Sequence, residues 1–97
     1  VILEFNLAKP SVLSEERFLS LIRKARQAAL TLEGVYDLAL YQAETDGERP
    51  VWQCRVDLDG FSDWICLQAD PRFQQVWGEM RSLGVQILTE EHLERVV

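Results

Sequence analysis

Val1, Leu3, Phe5 and Leu7 alternate with Glu4 and Asn6, the two-residue period of a half-buried strand, and Lys9-Pro10-Ser11 ends it. Ser14-Glu15-Glu16 then supplies an N-cap with acids in the first turn. Phe18, Leu21, Ile22, Ala25, Ala29 and Leu32 follow at the spacing of one helical face, with Gly34 placed to end the helix. Alternation returns from Val35, which sets Tyr36, Leu38 and Leu40 against Asp37, Ala39 and Tyr41. Asp46-Gly47, inside the polar stretch from Glu44 to Pro50, predicts a hairpin turn. The strand beyond it carries Trp52, Cys54, Val56 and Leu58 on one face and Gln53, Arg55 and Asp57 on the other. So short a link makes the pair antiparallel.

Asp59-Gly60 opens a second helical region in which Phe61, Trp64, Ile65 and Gln68 share a face. Asp70-Pro71 restarts it, since aspartate before a proline at the first helical position is a start signal; Phe73, Val76, Trp77, Met80 and Leu83 continue at helical spacing. The second helix is therefore expected in two pieces. After Gly84 the pattern weakens: Val85 to Leu88 suits a short strand and Thr89-Glu90-Glu91 suits a helical cap, while the preferred reading places a final strand near His92 to Val97. The order strand, helix, strand, strand, helix, strand predicts a ferredoxin-like α+β domain over residues 1–97, with a four-stranded antiparallel sheet covered on one face by helices. Tyr41, Ala39 and Val51 put apolar side chains on the other face as well, so the chain is expected to pair with a copy of itself.

Composition narrows the partners. At 97 residues the chain is one domain, and its 47% hydrophobic and 27% charged residues exclude disorder and fibrous repeats. A net charge of −6 argues against nucleic acid, which needs clustered cations; Arg17, Arg23, Lys24 and Arg26 read as a solvated helix face. Cys54 and Cys66 lack zinc-site spacing and read as reduced, buried thiols. No apolar run reaches the roughly 18 to 20 residues that span a bilayer, and Val1 to Asn6 shows no signal core, so a cytoplasmic location is expected.

Candidate chemistry is sparse. Glu90-Glu91-His92-x-Glu94 collects potential metal ligands but reads as a solvated segment, so no metal site is expected. With a single histidine, Ser62 and Cys66 lack a base, and the five glycines form no phosphate loop. Trp64, Phe73 and Trp77 suit the walls of an aromatic pocket or a plain core. Arg55 could hold an anionic group or pair with Asp57 or Asp37. Asn6 could hydrogen-bond a substrate oxygen.

Thr31-Leu32-Glu33-Gly34-Val35, Phe61-Ser62-Asp63-Trp64 and Phe73, taken with the element order, resemble the dimeric α+β-barrel superfamily, and within it the antibiotic-biosynthesis-monooxygenase-like group that includes small haem-degrading enzymes. The resemblance implies a homodimer with a pocket between sheet and helices. It implies active-site roles for Asn6 and Trp64. The pocket histidine of the haem-degrading relatives is replaced by Trp77, and the only histidine is His92 near the chain end. Haem ligation is thus disfavoured. The expectation is a monooxygenase without a bound cofactor acting on an apolar aromatic substrate, with Asn6 and Trp64 catalytic and Phe73, Trp77 and Arg55 binding substrate. The alternative is a non-catalytic dimeric binding or structural module of the same fold.

Overall fold

A computed structural model of the chain describes residues 1–43 and 51–97. The expected Asp46-Gly47 turn lies outside the described residues. The elements run β1 (Ile2–Ala8), α1 (Glu15–Ala29), β2 (Val35–Ala43), β3 (Val51–Leu58), α2 (Phe61–Ala69), α3 (Pro71–Ser82) and β4 (Gln86–Leu93). The strands form one antiparallel sheet in the order β2-β3-β1-β4, the ferredoxin-like arrangement. Among the described residues no helix is long and apolar enough to cross a membrane.

Leu3, Phe5 and Leu7 from β1 and Trp52, Cys54, Val56 and Leu58 from β3 point to the helical side. They meet Phe18, Leu21, Ile22 and Ala25 of α1, Trp64 and Leu67 of α2, and Phe73 and Met80 of α3 in one core. The helix starts follow the capping logic of the sequence. Ser14 Oγ accepts from the Arg17 amide at 3.2 Å, and Asp70 Oδ1 accepts from the amides of Arg72 and Phe73 at 3.0 and 3.1 Å, which splits α2 from α3 at the predicted place.

Five expectations need correction. The last strand is Gln86–Leu93, not His92 to Val97. Gly84 turns the chain at a φ of +96°, Val85 is buried, and the strand then runs antiparallel to β1 from Gln86 opposite Ala8 to Leu93 opposite Ile2. A strand begun at His92 would have only the first two positions of β1, Leu3 and Ile2, to pair with. The alternation in β2 is broken by a bulge between Val35 and Asp37. Val35 and Leu38 therefore face the core while Tyr36 turns outward, 62% exposed against 0% for Leu38. On α2 the inward residues are Trp64 and Leu67, with Phe61 and Ile65 exposed. Cys66 is exposed as well; only Cys54 is a buried thiol, and burial pushes its pKa from 9.0 up to about 12.

α1 closes at Ala29, short of Gly34. Gly34 instead takes a φ of +88° in the turn that feeds β2, and its backbone oxygen accepts from the Asp59 amide at 2.8 Å.

Candidate functional site

The helical face of β1 and the inner sides of α2 and α3 converge on an aromatic cluster. Phe5 lies with its ring centroid 5.3 Å from Trp64 and 6.0 Å from Trp77. Phe73 lies edge-on to Trp64 at 6.1 Å and stacks on Trp77 at 5.3 Å, with 19° between planes. Trp64 and Phe73 are 8% and 1% exposed, so these rings occupy the space between sheet and helices, while Trp77 is half-buried and reaches the surface. Behind Trp77 remains a void of about 10 Å³ among Leu7, Met80, Arg81, Val85 and Ile87, about one water in size. In front of it an open groove of about 260 Å³ is lined by Gln68, Phe73, Gln74, Trp77, Gly78 and Arg81.

The local sequence explains this placement. Gln74, Gly78 and Arg81 follow at four and three residues and so share one stripe of α3 beside Trp77. A Cβ built on Gly78 would meet nothing within 4 Å, which leaves the groove floor low. The helix starts are anchored by the two strings that carried the family resemblance, which touch each other. The Asp63 carboxylate accepts from the Gly60 amide at 2.9 Å and sits against the α-carbon of Gly34, where a Cβ would overlap it. Thr31 Oγ1 accepts from the Arg72 guanidinium at 2.7 Å. The turn from α1 into β2 thus holds the first turns of both α2 and α3, and with them Trp64 and Phe73.

Of the predicted site residues, the structure gathers Trp64, Phe73 and Trp77 but not Asn6 or Arg55. Successive strand residues point to opposite faces, and with Phe5 and Leu7 buried beneath the helices, Asn6 faces the open side of the sheet. Its amide donates to Thr89 Oγ1 at 2.7 Å. Arg55 occupies the same open face, where it pairs with Glu4 at 2.7 Å and lies 5.3 Å from the Tyr41 ring centroid. The expected partners Asp57 and Asp37 lose to Glu4 because the β1–β3 register sets Glu4 directly opposite Arg55. Arg26 takes Asp37 instead, at 3.2 Å.

Sequence reading missed Phe5 as a member of the cluster, although its inward phase on the first strand was visible. It also missed Gln68, Gln74 and Arg81; for Gln74 and Arg81 the spacing relative to Trp77 on α3 was the available signal. His92 lies on β4 with its ring 4.9 Å from that of Phe61 and Nε2 3.3 Å from Glu90 Oε1. It does not line the groove. Among the described residues no three His, Cys, Asp or Glu side chains gather as a metal site.

The groove lining offers no imidazole, thiolate or phenolate, and close-packed rings occupy the inner volume.

Comparison with solved structures places the fold among small α+β proteins. The chain superposes on a Deinococcus radiodurans protein described as a candidate antibiotic biosynthesis monooxygenase, with a TM-score of 0.73, 14% identity, and coverage of 100% of this chain and 96% of that one. It superposes on SnoaB, a cofactor-independent oxygenase from Streptomyces nogalater, with a TM-score of 0.61, 15% identity and coverage of 95% and 91%. A dimeric ferredoxin-like protein of unknown function from Bacteroides fragilis gives 0.60, 11% identity and 95% of both chains. No protein-family model and no curated protein matches the chain. Identities this low establish the shared fold.

Proposed function

We propose that this chain is a small monooxygenase that takes a planar, apolar, electron-rich substrate into the groove between α2 and α3. The observation that carries the reading is the Phe73–Trp77 stack, which opens from the core directly into that groove with Arg81 beside it. An aromatic ring laid against Trp77 buries its faces against indole and phenyl carbons, and the rim amides of Gln68 and Gln74 can meet its polar substituents.

The guanidinium of Arg81 would favour the deprotonated phenolate of a bound hydroquinone, which gives up electrons more readily than the neutral phenol. The reaction balances with oxygen alone: hydroquinone and O2 yield hydroxyquinone and water, one oxygen atom entering the ring and the other leaving as water. The substrate is the electron source, so the reading needs no haem, flavin or metal. The protein's share is to orient the ring against Trp77. Trp64 acts here as a packing support for Phe5 and Phe73, and Asn6 and Arg55 stand outside the groove.

The shared fold with SnoaB and the Deinococcus radiodurans protein supports this class of reaction. The reading includes pairing with a second copy through the open sheet face, where Ile2, Ala39, Tyr41 and Val51 flank the Glu4–Arg55 pair, as the dimeric Bacteroides fragilis neighbour suggests.

A second reading, a non-catalytic dimeric module, is favoured by one observation: Trp64 and Phe73 already fill the interior against Phe5. Oxygen uptake decides between them. Purified protein is mixed with a panel of alkyl- and aryl-substituted hydroquinones, and uptake above the spontaneous rate is expected for at least one. Gly78→Leu, which fills the groove without touching the core, should abolish it, and Asn6→Ala should leave it unchanged. No uptake with any member refutes the enzyme reading in favour of the module.

A further inference from the structure

One polar group in the core has no role in that site. Trp52 is 5% exposed, and its Nε1–H, alone among the buried side-chain nitrogens and oxygens of the described residues, has no hydrogen-bond partner. A buried donor without an acceptor costs free energy that a ligand supplying the acceptor recovers. Trp52 also lines an open groove of about 330 Å³ between α1 and the edge strand β2, which shares no lining residue with the α2/α3 groove.

The chemistry of this second groove is two-sided. Leu19, Ile22 and Leu40 line an apolar trough, and Arg23 and Arg26 stand one helical turn apart beside it. Arg26 is held in place, since its Nε donates to the Leu38 carbonyl at 3.1 Å and its terminal nitrogen to Asp37 at 3.2 Å. Arg23 is exposed on the same stripe of α1. In a chain with a net charge of −6 this is a local positive site next to an apolar one.

We propose that the α1–β2 groove binds a small amphipathic carboxylate. Its hydrocarbon lies on Leu19, Ile22 and Leu40, its carboxylate oxygens meet the charge of Arg23, and the Trp52 indole, whose Nε1–H has no accessible surface in the unliganded chain, turns on binding to donate it to the carboxylate. The site does not depend on the proposed oxygenase activity.

Decanoate is a suitable probe, and 1-decanol tests the charge separately. Indole N–H resonances of the three tryptophans are followed by ¹H–¹⁵N NMR during titration, with Trp52 assigned through Trp52→Phe. The expected result is a saturable downfield movement of the Trp52 indole proton with decanoate while the Trp64 and Trp77 indoles stay in place. Arg23→Ala, a change at an exposed position, should weaken decanoate about two- to fivefold and leave decanol unaffected. A Trp52 indole that does not move, or movement of the Trp64 or Trp77 indole in its place, overturns the proposal. So does an Arg23→Ala protein that binds decanoate as tightly as wild type.

Discussion

Gly34→Ala is the substitution whose cost can be worked out most fully. At a φ of +88° an alanine meets its own carbonyl, a penalty of about 1–2 kcal/mol. The new methyl group also overlaps the Asp63 carboxylate, which must swing away and release the Gly60 amide it caps at 2.9 Å. Loss of such a cap costs a further ~0.5–2 kcal/mol, so the sum is about 1.5–4 kcal/mol. For a domain of this length each kcal/mol lowers Tm by about 4–8 °C. Urea denaturation of four proteins separates the two parts: wild type, Gly34→Ala, Asp63→Ala and the double variant. With Asp63 already removed, Gly34→Ala should cost only the backbone part, giving a coupling of about 0.5–2 kcal/mol. Because Asp63 starts the turn that carries Trp64, near-ultraviolet circular dichroism of the aromatic cluster should weaken with it. Strictly additive effects, or a total below about 0.5 kcal/mol, would refute the claim that the α1–β2 turn and the start of α2 form one locked unit.

Three further outcomes follow from the same geometry. Gly78→Ala should stabilise α3 by about 0.5–1 kcal/mol in urea, because its methyl group meets nothing, and should leave oxygen uptake largely intact where Gly78→Leu removes it. A thiol reagent should label Cys66 in the native protein and both cysteines only after denaturation; native labelling of Cys54 contradicts its burial. Cys54 also makes stability pH-dependent at the alkaline end. Its native pKa of about 12 lies above the ordinary 9.0, so between those values the unfolded chain loses a proton that the folded chain keeps. Stability should therefore fall as pH rises through that window, by up to ~1.4 kcal/mol per pH unit, and Cys54→Ala should flatten that slope in urea titrations.

Much of the fold was legible because its core is written in period. The inward faces of β1 and β3 and of α1 read directly from alternation and helical spacing, and Asp70-Pro71 marked the break between α2 and α3. β4 was hidden for a physical reason: every residue from Gln86 to Leu93 is solvent-exposed, so no buried face imposes alternation, and only pairing with β1 defines the strand. The bulge at Tyr36 escaped because one extra residue inverts the phase without altering composition. Aromatic spacing put Trp64, Phe73 and Trp77 together, and the structure packs their rings in one cluster. Asn6 was misplaced because the resemblance assigned it a pocket role, whereas the strand's own period, with Phe5 and Leu7 inward, sets it on the opposite face. Arg55 found Glu4 rather than an aspartate because inter-strand register is not readable from a single strand.

Mass spectrometry of product formed under ¹⁸O2 tests the oxygenase reading most directly. With a hydroquinone that supports uptake, wild-type protein is predicted to give hydroxyquinone carrying one ¹⁸O atom, and Gly78→Leu to give none above the spontaneous background. Quinone without label would mean that electrons leave the substrate but no oxygen enters it, and equal labelling by Gly78→Leu would place the chemistry outside the α2/α3 groove; either result contradicts the account.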